Sequence, residues 1–151
     1  MNSLLITRAK LRTFLNVVDT LFPVPLSKKQ DLDTFVDKLL EKAILCVAWE
    51  GERIVALVAG YADNVIDRLG YISIVATLPE AQGRGLASEK VQEFLDIARD
   101  KGLRGVHLYA VPDNLPAIKM YKKLGFEVYC PKNESRPEDA HLIYYIEREK
   151  Q

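Results

Sequence analysis

VATLPEAQGRGLA, residues 75–87, sets a strand-like run, a proline and two closely spaced glycines directly ahead of a helical pattern. Pro79 has no N–H to give and ends strand pairing. Gly83 and Gly85 permit positive φ and a close backbone approach. The helix that follows, from about Gly85 to Asp100, puts Leu86, Val91, Phe94, Leu95 and Ala98 on one face and stops near Gly102. Its first N–H groups have no intrahelical partner, so the turn offers a backbone cradle for a pyrophosphate at the positive end of a helix. Arg84 either adds charge there or points to solvent. Two glycines at such a turn are equally compatible with a tight corner that holds nothing. Two nucleotide signatures are disfavoured: a dinucleotide fingerprint needs Gly or Ala where Ser88 stands and an acidic residue closing a later strand, and no Walker lysine follows Gly85.

Outward from this turn, the periodicity supplies the other elements. Leu11, Phe14, Leu15 and Val18 predict a helix over roughly 7–21, stopped by FPVP. Ser27 and Gln30 fit a capping box for a second helix whose apolar face is Leu32, Phe35, Val36, Leu39, Leu40 and Ala43, with Lys28 and Lys29 opposing its dipole. AILCVAWE, the turn EGER and IVALVAGYA read as an antiparallel hairpin, and GYISIVATL as a third strand. VHLYAV is a strand, Asn114 to Leu124 a short helix closed by Gly125, FEVYC a strand and HLIYYIERE a final strand. The order ααβββαβαββ predicts a mixed α/β sheet in one domain over 1–151, with a βαβ crossover between the third and fourth strands. Ligands favour the carboxyl end of such strands, where the 75–87 turn lies.

Twenty-one basic and twenty-one acidic residues balance, so no global field gathers nucleic acid or an anionic membrane. No apolar run approaches the roughly 20 residues that span a bilayer. Cys46 and Cys130 lie far apart, and the N-terminus lacks a signal-peptide pattern, which points to a reducing, cytoplasmic location. His107 and His141 have no metal-ligand spacing around them, so no metal is expected.

Gln82-x-x-Gly85-x-Ala87, placed after a strand and a proline, resembles the Q/R-x-x-G-x-G/A motif of the GNAT acetyltransferase superfamily. NLPAIKMYKKLGF, residues 114–126, resembles that superfamily's Asn-x-x-Ala-x-x-x-Tyr-x-x-x-Gly-Phe element, one strand later. The resemblance covers about 75–126. It implies a mainly antiparallel twisted sheet of about six to seven strands flanked by about four helices, and an acetyl-CoA-dependent N-acetyltransferase. By position, Val75, Ala76 and Thr77 would offer main-chain groups to the pantetheine arm. Gln82, Gly83, Arg84, Gly85, Leu86, Ala87 and Ser88 would hold the pyrophosphate. Asn114 would cap its helix and contact the coenzyme, and Ala117 would leave room for it. Tyr121 would be the catalytic residue, hydrogen-bonding or protonating the departing thiolate.

Some relatives carry a glutamate where this chain has Tyr109, so the general base stays open between His107, Asp63 and water. His107 is also readily a satisfied sheet histidine. The superfamily usually begins with a strand; here only SLLIT stands in that place, which puts a first strand in doubt. The acceptor side would be built from this region, FPVPLS and the charged loop PKNESRPEDA, where Glu134, Glu138 and Asp139 either attract a cationic amine or are solvated. The expected acceptor is a primary amine on a small molecule. A peptide or protein amine, or a noncatalytic acyl-CoA-binding module, is the alternative, and a homodimer is compatible with the sequence.

Overall fold

The computed structural model describes residues 5–22 and 25–150. Its element order is α1 (Arg8–Val18), α2 (Leu26–Lys29), α3 (Leu32–Lys42), β1 (Ile44–Glu50), β2 (Arg53–Tyr61), β3 (Leu69–Thr77), α4 (Leu86–Asp100), β4 (Gly105–Ala110), α5 (Leu115–Leu124), β5 (Glu127–Val128) and β6 (Ala140–Tyr145). The strands form one sheet in the order β1-β2-β3-β4-β6-β5. Only the β3–β4 pair is parallel. The mixed, mainly antiparallel sheet is therefore the one expected.

Each helix is where its apolar stripe finds a face to cover. Leu11, Phe14, Leu15 and Val18 of α1, with Phe35, Val36 and Leu39 of α3, pack on Leu57, Ala59 and Ile74. On the other face Val91, Phe94, Leu95 and Ala98 of α4 pack on Val58, Ile72, Val106 and Leu108, joined by Tyr121 and Phe126. β2 lies under both layers, which is why IVALVAG is apolar throughout instead of alternating.

Four expectations are corrected. Ser27 does not cap the long second helix. It lies in the single turn α2, where its hydroxyl and N–H both donate to Asp19, at 2.7 and 2.9 Å. Asp31 is the N-cap of α3, its side chain accepting from Thr34 N–H, so Lys28 and Lys29 sit at the end of α2 and do not oppose the α3 dipole. FEVYC contributes only Glu127–Val128 to the sheet, and the IERE tail leaves β6 as a 3-10 turn over Ile146–Lys150. Among the described residues no strand precedes α1: residues 5–7 are not in the sheet, and Ser3 and Leu4 lie outside the described residues, as do Pro23 and Val24 of FPVP.

The sheet splits at its centre. β3 and β4 pair from Leu69–Gly105 to Ile72–Leu108 and no further, although β3 runs on to Thr77 and β4 to Ala110. At the same place the β2–β3 register skips Ser73, with Gly60 opposite Ile72 and Ala59 opposite Ile74. A bulge bends and twists the strand that carries it, so β3 turns away from β4 where the bulge falls. Gly60 is the residue that permits this: a Cβ there would lie 2.3 Å from the Tyr71 carbonyl oxygen and 2.8 Å from the Phe94 ring.

Candidate active site

The wedge between the diverging strands is a cleft of about 550 Å³. Ile74 and Val75 of β3, Leu108, Tyr109 and Ala110 of β4, and Asn114, Ala117 and Tyr121 around α5 form its inner walls. Phe22, Leu26 and Lys29 close it on one side with Arg136, Glu138 and Asp139 of the loop before β6. Tyr121 packs in the α4 layer with Leu108, whereas Tyr109, one residue on, projects from the opposite sheet face. The opening thus passes through the sheet. One end is lined by α5, the other by α2 and the charged loop.

At the carboxyl end of β3, the chain turns through Pro79–Ala81 into α4. Gly83 and Gly85 adopt φ of +82° and +76°, the left-handed region that side chains avoid, and a Cβ at either would meet nothing. Thr7, Asp31 and Asn114 cap α1, α3 and α5 with side-chain oxygens, whereas Gly85 brings no side chain to α4. The N–H groups of Leu86, Ala87 and Ser88 therefore begin a helix of 15 residues with its positive end open. Gln82 donates its side-chain amide to the Thr77 carbonyl at 3.4 Å, bracing the turn against β3. The Arg84 guanidinium pairs with Glu50 at 2.9 Å and donates to the Glu80 carbonyl at 3.1 Å.

Asn114 Oδ1 accepts from Ala117 N–H at 3.3 Å, so its amide nitrogen is left for another partner. Gly125, at φ +112°, ends α5 and brings Phe126 back to pack on Tyr121, ring centres 5.7 Å apart. Tyr121 is 5% exposed, and burial pushes its phenol above the ordinary tyrosine value, so the group stays a neutral donor.

The candidate bases separate. Asp63 lines another depression with Arg68, Lys101 and Leu103, at the far end of the sheet, and is ruled out as a group facing the cleft. His107 is half-buried and satisfied: its Nδ1 lies 2.7 Å from His141 Nε2. Burial first, then the neighbouring His141, pulls its pKa below the ordinary value. Of the acidic loop residues, Glu134 is engaged by the Tyr109 hydroxyl and His141, and Asp139 by Arg136 at 2.7 Å, so neither stands as a free attractor for an amine. The Glu134–His141–His107 chain was not legible in the sequence. Only the alternation of His107 with Tyr109 hinted that one face of β4 is polar.

Among the described residues no group of three or more His, Cys, Asp or Glu side chains is arranged to hold a metal ion, and no helix is long and apolar enough to cross a membrane.

Residues 11–126 match the model of the acetyltransferase (GNAT) family. A mycothiol acetyltransferase of Arthrobacter sp. is 39% identical over 71 residues, which is 43% of this chain and 22% of that protein. The chain thus spans about a fifth of the length of that curated relative. Among solved structures, a PaiA N-acetyltransferase from Thermoplasma acidophilum in complex with coenzyme A superposes with a TM-score of 0.70 at 14% identity, covering 93% of this chain and 95% of that one. An acetyltransferase of the GNAT family from Streptococcus pneumoniae does so with a TM-score of 0.72 at 19% identity, covering 92% and 93%.

Proposed function

Given that the chain belongs to the GNAT acetyltransferase family, we propose that it transfers an acetyl group from acetyl-CoA to a primary amine of a small molecule, by direct attack within a ternary complex. The observation that carries this reading is the coincidence of two openings: the uncapped start of α4 and the wedge between β3 and β4, joined by Val75–Thr77. The first suits a pyrophosphate. The second suits a narrow arm with its own amide groups, because β3 beyond Ile72 lacks a β4 partner. The coenzyme-bound Thermoplasma structure supports the donor, and relatives named for a small molecule, mycothiol, favour a small acceptor over a protein.

The two substrates would enter from opposite sheet faces, the donor along α5 and the amine past Phe22, Leu26 and Lys29. The neutral amine attacks the thioester carbonyl. Its carbon–nitrogen bond forms as negative charge builds on the oxygen, which main-chain N–H groups of β3 stabilise. The carbon–sulfur bond then breaks toward Tyr121, whose phenol donates to the departing thiolate; the nitrogen's surplus proton leaves through water on the acceptor side.

Thermal shift with acetyl-CoA, against NAD and FAD as controls, tests the donor. Thiol release with glucosamine, lysine and spermidine as trial acceptors tests turnover. Tyr121→Phe should lower turnover by roughly 100-fold and leave acetyl-CoA affinity within about twofold. Stabilisation by NAD in place of acetyl-CoA, or equal turnover in Tyr121→Phe, would overturn the corresponding assignment.

A further inference from the structure

Over β4 and β6, the sheet face opposite α4 carries a polar cluster to which the chemical steps above assign no part. Tyr109 and His141 are strand partners and their rings stack with centres 4.0 Å apart. His141 is 6% exposed, yet both its ring nitrogens are engaged: Nε2 with His107 Nδ1 and Nδ1 with Glu134 Oε1, each at 2.7 Å. Glu134 Oε2 accepts from the Tyr109 hydroxyl at 2.7 Å and from the Arg136 N–H at 3.2 Å. The Arg136 guanidinium lies 4.4 Å over the Tyr109 ring and is gripped by Asp139. Tyr109, Arg136 and Asp139 all line the cleft.

We propose that Glu134 is the positioning residue of the acceptor wall: its carboxylate ties the 131–139 segment to β4 and β6 and thereby holds Arg136 and Asp139 at the cleft mouth. That role rests on the cleft being the acyl-transfer site.

The hydrogen bonds then dictate the proton positions. A carboxylate only accepts, so His141 carries its proton on Nδ1, and in the neutral ring Nε2 is an acceptor. His107 must supply the proton between the rings from its own Nδ1. Both neutral imidazoles are thus held as Nδ1–H tautomers. One added proton is accommodated without loss: it settles on His107 Nε2, or His141 becomes the imidazolium and donates to His107 instead. A second proton sets two N–H groups against each other and breaks the pair. The groups facing them are Asp67 and Tyr71 from around the start of β3, Tyr109 from β4, Tyr129 after β5 and Glu134 from the loop. This latch of Glu134 on the two strands thus holds with both rings neutral and with one added proton, and not with two.

The chain has two histidines, so a long-range proton–nitrogen NMR spectrum of the imidazoles reports these two rings alone. Above about pH 7.5, where free histidine is neutral, both should be Nδ1–H tautomers. In Glu134→Ala, His141 should lose that tautomer and the non-proline amides of 132–139 should exchange about tenfold faster. Arg136 Nε–H should also lose its ring-current shift. Ser135→Ala, which removes only a 3.2 Å contact to Tyr109, should change none of these. An Nε2–H tautomer in the unaltered protein, or unchanged tautomers and exchange in Glu134→Ala, would overturn the latch. Thermal stabilisation by acetyl-CoA should be equal in the unaltered protein and in Glu134→Ala. Its absence from both refutes the acyl-transfer reading while the spectra still decide the latch.

Discussion

Gly60→Ala adds one methyl carbon where the split in the sheet begins. That carbon would sit 2.3 Å from the Tyr71 carbonyl oxygen and 2.8 and 2.9 Å from two ring carbons of Phe94. An ordinary carbon–oxygen contact is about 3.3 Å, so one partner has to move by about 1 Å. Neither is free to do so. Tyr71 is paired with Tyr61 on β2 and with His107 on β4, and Phe94 is fully buried between α4 and the sheet. The cost belongs at the upper end of the over-packing range, about 3 kcal/mol. With an unfolding slope of about 2 kcal/mol per molar urea, the midpoint should fall by about 1.5 M. Gly51→Ala is the control: its φ is +63° but nothing lies within 4 Å of the new carbon, so backbone strain alone costs about 1 kcal/mol. A Gly60→Ala midpoint shift no larger than that of Gly51→Ala would refute the claim that close approach, and not backbone freedom, fixes glycine at 60.

Gly85→Val places a branched residue at φ +76°, and acetyl-CoA affinity by calorimetry should fall by about tenfold or more; unchanged affinity would remove the turn from the donor site. Asp19 is held below its ordinary 3.8 by the Ser27 hydroxyl and then by the Ser27 N–H. Its folded value lies under its unfolded one, so its stabilisation is complete above the unfolded value and is lost as pH falls through the folded one. The urea midpoint of Asp19→Asn should accordingly drop less between neutral and acid pH than that of the unaltered protein. Cys46 is fully buried, and burial pushes its thiol up to about 12, whereas Cys130 is exposed. One thiol should react with a disulfide reagent in the native state and both after denaturation, a background that the thiol-release assay has to subtract.

Local chemistry made most of the fold legible. The α4 turn could be located because two glycines and a proline restrict the backbone in ways that need no tertiary context, and the apolar stripes of α1, α3 and α4 fall on buried residues except Leu40, which is exposed, and Ala43 and Leu86, which are half-buried. The sequence misled where two local signals competed. Ser27-x-x-Gln30 and Asp31-x-x-Thr34 are both plausible caps, and Asp19, eight residues before Ser27, removed the first from contention. The C-terminal strands were read too long because HLIYYIERE keeps its apolar character past Tyr145, where Ile146 still points into the core although the backbone has left the sheet. Part of the cleft wall, Val75, Asn114, Ala117 and Tyr121, could be read in advance, but not the cleft's extent or the histidine chain. The cleft is defined by where β3–β4 pairing stops, which Gly60 permits but does not announce in the sequence, and His107 and His141 meet across 34 residues only through the β4–β6 register.

The split sheet has a further consequence. Residues 73–77 of β3 form an unpaired strand edge, the kind of surface that ordinarily invites another chain to add itself and aggregate. Here the edge faces inward, screened by α5 on one side and the 131–139 loop on the other, in a wedge whose far wall is β4. A protein strand would bring side chains on both its faces and could not enter without displacing Tyr109 or Tyr121. A thin, extended ligand bearing amides and no side chains meets no such barrier. The geometry of this edge leaves room for a thin ligand and none for an added protein strand.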